Sequence, residues 1–488
     1  MIEDSVAAVV RKYPEHVAIS DGLKTITYCE LYSQKQGYVQ YLRQVLHIQK
    51  GERIALFLPN CVEFIFLFFA IADVGAIAVP LNIHLKENEL QYYIVKCGIT
   101  VVVTNSELLT QWGEMPSQGQ GIKFILIDRL EIPRKKMRDM LSPEDDLHRS
   151  GINSVDTEVL YISTSGSTGR PHIVSRMHTN IVSGGENVAK ALEITSYDRF
   201  LSVTPFFHAN GFSNCMILPL LKGSTIVLMK HFSPRETLHL LKEKDITIFF
   251  GSPFIFSTLT DVADQISLPS LRFCLSTGAP LTEDLKRRFF DKFSVRLRQL
   301  YGASETGTVS IELQNQHGEG SVGTPIDNIQ LKIIDDNGFE LHPFETGEII
   351  VKSPAMTKGY VDEPDLNRKV FHNGYFRTGD LGMLDDCGSI FIVGRKKKFI
   401  NASGVKVDPV EIETVLLSFH KVREAHVVGM KNDRGTEIIK ATLVTQQDCT
   451  VQEIIMYCKD KLADFKIPRI IEFKDSIPRD VMGKVILY

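Results

Sequence analysis

Hydroxyl side chains and glycines crowd one short stretch of this sequence, "STSGSTGRPH" at 163–172. It follows "VLYIS", a run with the composition of a buried strand, and precedes a segment expected to turn helical around Asn180. A glycine-rich turn after a strand exposes consecutive backbone N–H groups that cradle phosphate oxygens, and Ser and Thr hydroxyls add neutral donors. The pattern is not a Walker A loop, which ends Gly-Lys-Ser/Thr, because Gly169 is followed by Arg-Pro-His; nor is it G-x-G-x-x-G. Taken alone it reads equally as an exposed turn or as a phosphate cradle.

Further segments carry chemistry downstream: "STGAP" at 276–280, "LYGASETG" at 300–307, "YFRTGDLG" at 375–382, "GRKKKFINASGVKVDPVEIE" at 394–413 and "PRDVMGKV" at 478–485. Singly, a Tyr-Gly pair is a turn, a loop Asp after Gly is a turn former, and a lysine near a chain end is a solvated tail residue. In this order, together with the first loop, they resemble the adenylate-forming superfamily of acyl- and aryl-CoA synthetases, luciferases and peptide-synthetase adenylation domains, and the resemblance spans nearly the whole chain.

The resemblance implies an ATP-dependent acid:thiol ligase. A carboxylic acid is joined to the α-phosphorus of ATP, pyrophosphate leaves, and the acyl group passes to the thiol of CoA. The alternative acceptor is the phosphopantetheine arm of an acyl or peptidyl carrier protein. A catalytically silent nucleotide-binding homologue and a luciferase-like oxygenase are the remoter readings. Bringing two anions together calls for fixed positive potential and oriented donors more than for a base.

On the same resemblance, Thr164, Ser165, Gly166, Ser167, Thr168 and Gly169 match the loop that holds the β- and γ-phosphates. Gly278, Ala279 and Pro280 match the backbone strip along adenine and the acyl-adenylate. Tyr301, with Gly302, matches the aromatic stacked on adenine, Ser304 a hydroxyl that reaches phosphate, and Glu305 the Mg²⁺ ligand, a hard-oxygen donor of the kind this ion takes. Asp380 and Arg395 match the ribose contacts. Lys484 matches the catalytic lysine, a mobile point charge suited to a transition state in which negative charge shifts. Lys397 matches the hinge, and Ser403, Gly404 and Val405 the thiol tunnel. On the acyl side, "TPFFHANGF" and "FFGSPFIF" nominate Phe207, His208 and Phe254, with His208 also bordering the carboxylate. No Asp lies in 204–214 to pair with an α-amino group, so a fatty or other apolar acid is expected. One departure is plain: the family commonly has Lys where this chain has His172, a side chain mostly uncharged at neutral pH.

The elements that must position these residues follow an alternation of short β-branched runs and helical periods. "RIALFLP", a helix from Cys61, "AIAVPL", "GITVVVTN" and "IKFILID" come first, and a second such rhythm runs from "RFLSVTP" to "ITIFFGSP". The charged stretch 131–158 reads as a surface excursion. After about 320 the texture becomes short strands and turns, with Asn337-Gly338 as a hairpin signal. The expected class is α/β: a large N-terminal domain over 1–393 of layered α/β subdomains, its β-rich part at 320–393, a hinge at 394–398, and a small mobile C-terminal α/β domain over 399–488.

Composition sets the outer limits. A chain of 488 residues with 43% hydrophobic content exceeds one packed core, and a net charge of −4 with interspersed signs argues against a nucleic-acid partner. Eight scattered cysteines without a C-x-x-C pair suit reduced thiols in a cytoplasmic protein. The most apolar window, from Phe64, is broken by Asp73 and Gly75, so no transmembrane segment is expected, and the first residues do not read as a secretion signal.

Overall fold

The computed structural model describes residues 1–22, 24–85, 87–110, 121–130, 132, 154–164, 171–313, 318–396, 400–402, 405–407, 409–431, 437–462, 464–479 and 485. Most of the expected surface excursion at 131–158 lies outside the described residues. The chain forms two compact units. Met1–Leu331 with Val351–Phe376 make one, and Lys332–Ile350 with Arg377–Tyr488 the other. The chain passes between them within the strands Gln330–Ile334, Gly347–Lys352 and Tyr375–Leu384.

The first unit holds two larger sheets. In the six-stranded one, Lys123–Leu126, Ile99–Thr104, Arg53–Leu56, Ile77–Pro80 and Glu158–Thr164 run parallel in that spatial order, and His172–Met177 closes the edge antiparallel. Its central strands are short runs of Ala, Val, Ile and Leu, buried on both faces, as parallel strands covered by helices must be. The helix Val62–Asp73, "VEFIFLFFAIAD", is apolar nearly all round and buried likewise, which makes it a core helix.

The nine-stranded sheet places Leu297–Ala303, Phe273–Ser276, Ile248–Gly251, Arg199–Ser202, Thr225–Leu228 and Val17–Ser20 side by side and parallel. Antiparallel strands flank this block: Gly307–Ile311 and then Thr324–Pro325 on one side, Thr25–Thr27 on the other. In the second unit the strands Val405–Val407, Ile400–Ala402, Glu437–Thr445, Val422–Lys431 and Ile470–Phe473 carry the helices Pro409–Leu417 and Val451–Lys459 over a core of Ile412, Leu416, Leu443 and Ile454.

The helix expected around Asn180 is present, but a strand that sequence reading did not anticipate stands between it and the hydroxyl-rich loop. The chain returns as the antiparallel strand His172–Met177, and the helix His178–Ala191 begins only after it. The register of "HIVSRM" pairs Thr164 with His172, Ile162 with Val174 and Leu160 with Arg176. The loop therefore joins two strands, and no helix N-terminus directly follows it to lend its dipole.

Inside this apolar unit Lys35 and Asp73 form a buried ion pair, their side chains 4% and 5% exposed, with Arg43 Nη2 3.3 Å from the other carboxylate oxygen. Replacing Lys35 by Met should lower urea stability by about 3 kcal/mol, because it takes from a buried carboxylate its buried cation and leaves the partly exposed Arg43, and Lys35→Met with Asp73→Leu should recover most of that loss. Denaturation midpoints of the two variants against the parent check both halves.

Candidate active site

Apart from Thr164, which ends a strand of the six-stranded sheet, the described sequence-nominated residues of the first unit lie where the parallel strands of the nine-stranded sheet end. Four neighbouring strands run out at their carboxyl ends into Val203–Asn210, Ser252–Phe254, Thr277–Pro280 and Ser304–Thr306. Open α/β sheets bind ligands along this edge, since the loops there are free to vary while the strands hold them in place.

Phe273–Ser276 leads into Thr277, whose N–H donates to the Gly251 carbonyl at 3.0 Å and ties two strand ends together. Gly278 follows with φ +89°, and a Cβ on it would meet no atom within 4 Å. The glycine serves the turn, and the space beside it is open. Gly278, Ala279 and Pro280 form an exposed strip.

Leu297–Ala303 and Gly307–Ile311 form a hairpin with an irregular register between Tyr301 and Gly302. A Cβ on Gly302 would stand 2.4 Å from the Gly307 carbonyl, so only glycine lets the two backbones approach. The turn closes through Thr306 N–H to the Ala303 carbonyl at 3.2 Å and Ala303 N–H to Thr306 Oγ1 at 3.3 Å. Tyr301 and Glu305 are buried, at 8% and 9% exposure.

Glu305 is held from a segment that sequence reading passed over. Tyr360 Oη donates to its Oε1 at 2.7 Å, and Thr357 N–H donates to its carbonyl at 2.8 Å. Arg176, 5% exposed, donates from Nη1 to the Ser304 carbonyl at 2.7 Å. Desolvation lowers its pKa to about 10 despite the opposing field of Glu305, so the guanidinium remains charged at neutral pH. Oε2 of Glu305 takes no hydrogen bond from the described residues. One carboxylate oxygen is thus fixed, and a single carboxylate joined by phosphate oxygens and water is a donor set of the kind that fits Mg²⁺. No cluster of three or more acidic, His or Cys side chains able to hold a metal occurs among the described residues.

His172 opens the returning strand. Its Nδ1 lies 2.7 Å from Glu363 Oε2, Lys96 Nζ lies 3.5 Å from Glu363 Oε1, and the imidazole packs against Tyr360 with ring centroids 5.0 Å apart. Thr164 ends the outgoing strand, half buried. Ser165, Gly166, Ser167, Thr168, Gly169, Lys397, Ser403, Gly404 and Lys484 lie outside the described residues.

On the acyl side, Asn60 clamps the strand exit: its Nδ2 donates to the Thr204 carbonyl at 3.0 Å and its Oδ1 accepts from Phe206 N–H at 2.9 Å. The Phe206 and Phe212 rings turn into the core against Phe64 and Phe68. Phe207 is 5% exposed and its ring packs at a tilt of 47° against His208, with centroids 4.5 Å apart. A seven-residue π-helical stretch, Gly211–Ile217, follows directly, and such stretches recur at functional sites. Much of the aromatic content of "TPFFHANGF" is therefore core packing. Phe254 sits in the first turn of the helix Pro253–Val262, 42% exposed.

In the second unit Asp380 and Arg395 are cross-strand partners in register, with Arg395 Nε 2.6 Å from Asp380 Oδ1. The Asp380 side chain is 7% exposed and that of Arg395 50%. Asp380 N–H donates to Thr378 Oγ1 at 3.0 Å, beside Gly379 at φ +72°. Lys396 is held by Asp336 at 2.7 Å and Glu348 at 3.3 Å, and the Asp336 contact raises its pKa. Val405 begins a strand paired with Ile400–Ala402.

Residues 6–361 match the AMP-binding enzyme family and residues 411–484 the AMP-binding enzyme C-terminal domain. The chain belongs to the AMP-binding enzyme family. It is 30% identical over 451 residues to the long-chain-fatty-acid–CoA ligase FadD13 of Mycobacterium tuberculosis, covering 90% of this chain and 88% of that protein. It is 29% identical over 484 residues to the feruloyl-CoA synthase of Amycolatopsis sp, covering 98% and 95%. Among solved structures, O-succinylbenzoate coenzyme A synthetase (MenE) from Bacillus subtilis, in complex with ATP and magnesium ion, aligns with a TM-score of 0.86 at 27% identity, covering 99% of this chain and 98% of that one.

Replacing Tyr360 by Phe removes the only hydroxyl seen on Glu305 Oε1 among the described residues, a hydrogen bond to a charged group and so about 1.5 to 3 kcal/mol. The expected result is a rise of about tenfold or more in the KM for MgATP with little change in that for the acid, measured by pyrophosphate exchange.

Proposed function

We propose that this AMP-forming ligase activates a fatty or other apolar carboxylic acid and passes it to CoA, with ATP and Mg²⁺ as co-substrate and cofactor. The observation that carries the reading is the convergence of Tyr301, the Ser304–Glu305 turn, the Gly278–Pro280 strip and His208 on one carboxyl edge of the nine-stranded sheet. Relatives that act on fatty and aryl acids, together with a strand exit without an acidic side chain in 204–214, support the acid class.

In the first half-reaction an acid carboxylate oxygen bonds to the α-phosphorus, the bond from that phosphorus to the bridging oxygen breaks, and pyrophosphate leaves with the electron pair. Tyr301 stacks on adenine, and Gly278, Ala279 and Pro280 lie along the nucleotide. Thr164 to Gly169 and the Ser304 hydroxyl donate to phosphate. Glu305 would hold a magnesium ion, which would supply neutralising charge for the departing pyrophosphate. Asp380 accepts from the ribose hydroxyls, with Arg395 beside it. His208 borders the carboxylate. Lys484 bridges carboxylate and α-phosphate, stabilising charge as it shifts between them.

In the second half-reaction the deprotonated thiol bonds to the acyl carbon and AMP departs. Lys397 acts as the hinge of a domain rotation between the two steps, and Ser403, Gly404 and Val405 line the thiol path. No helix among the described residues is long and apolar enough to cross a membrane, and all eight cysteines are unpaired. A reducing cytoplasm is the compartment we propose.

Lys484→Ala should abolish pyrophosphate exchange while discharge of supplied acyl-adenylate to CoA survives. Equal loss of both half-reactions would remove the lysine assignment. A panel of fatty, aryl, dicarboxylic and amino acids in the exchange assay should favour the first two classes. The activated acid should then discharge to CoA; discharge only to a phosphopantetheinylated carrier protein would replace CoA as acceptor.

A further inference from the structure

Arg176 is a charged side chain in an apolar strand, and its environment explains why the fold tolerates it. In "HIVSRM" the residues 172, 174 and 176 share one face. Val174 is fully buried on that face, and Arg176 is 5% exposed. A guanidinium without partners there would cost several kcal/mol, so its position is compensated by the Ser304 carbonyl at 2.7 Å and by the field of Glu305.

The segment 357–361 runs beside the same strand. Ser175 N–H donates to the Gly359 carbonyl at 3.3 Å, Val361 N–H donates to the Ile173 carbonyl at 2.9 Å, and Val174 and Tyr360 form an antiparallel bridge. This segment brings Thr357 to the Glu305 backbone and Tyr360 to its carboxylate. The strand that leaves the hydroxyl-rich loop and the turn that carries Glu305 are therefore linked twice, once through 357–361 and once directly by Arg176.

We infer that Arg176 is a positioning residue for the triphosphate: it fixes the Ser304–Glu305 turn against the strand returning from the phosphate loop and supplies the buried positive charge that balances Glu305. The inference rests on the reading of Glu305 as the magnesium ligand. It adds a residue that needs no contact with ATP.

Binding separates this role from a general loss of structure. AMP lacks the β- and γ-phosphates and the metal, so its affinity should be insensitive to Arg176. The magnesium complex of a non-hydrolysable ATP analogue should report the turn directly. By calorimetric titration without acid, Arg176→Gln and Arg176→Met should weaken the magnesium–analogue complex about ten- to a hundredfold, the range for a lost charged hydrogen bond, while AMP binding stays within about twofold. Arg176→Lys, which keeps the charge, should stay within about threefold of the parent for both ligands, and it provides the measurement if the neutral variants do not fold. Analogue affinity unchanged in Arg176→Gln, or loss in Arg176→Lys as large as in Arg176→Gln, overturns the inference. Glu305→Gln is measured alongside: selective loss there with none in Arg176→Gln leaves the metal reading standing and removes only the role of Arg176, whereas unchanged analogue binding in Glu305→Gln removes the metal reading itself.

Discussion

Glu305, the carboxylate proposed here for the metal ion, stands in a place the fold has largely closed to water, at 9% exposure. Burying a charge costs several kcal/mol unless donors and an opposite charge surround it. The backbone turn alone cannot meet that cost. Tyr360 holds one oxygen, Thr357 fixes the main chain, and Arg176 brings a cation from another sheet. Each of these partners depends on elements far from Glu305 in sequence, so the two sheets of the first unit have to be assembled before the site exists.

The same economy shows at His172. The imidazole is held by Glu363, itself shared with Lys96, and stands on the ring of Tyr360. Its surroundings are those of a braced side chain at the mouth of a strand. Ion pairs thus join Lys96, Glu363 and His172, ring packing joins His172 to Tyr360, and Tyr360 donates to Glu305. Networks of this kind rigidify a site when every member is satisfied, because low dielectric strengthens each link and penalises each omission. The acyl side is stiffened differently, by Asn60 across a strand exit and by Phe206 and Phe212 packed on the helix Val62–Asp73.

Much of this architecture could be read before any coordinates. The β-branched runs around Ile54, Val79 and Val102 specify buried parallel strands because so few polar atoms interrupt them, and the break in the apolar window at Asp73 and Gly75 separates a core helix from a membrane span. The order of the glycine-rich and acidic motifs identified the family. The strand His172–Met177 was harder to see, since six residues of mixed polarity on a sheet edge carry little periodicity. Arg176 and Tyr360 left only faint signals: one cation in an apolar alternation, and one Tyr after a glycine.

Local chemistry determined which residues could serve here: glycine at 278 and 302, where backbone geometry admits little else, hydroxyls in the loop at 163–168, and a carboxylate at 305. Those are properties of a residue and its immediate neighbours, so they are written in one dimension. Tertiary structure decided the partnerships, such as Arg176 with Ser304 and His172 with Glu363, separated by 128 and 191 positions in the chain. Hydrogen bonds and buried charges act over a few ångströms of space, and only the packing of strands and helices determines which distant residues are brought that close.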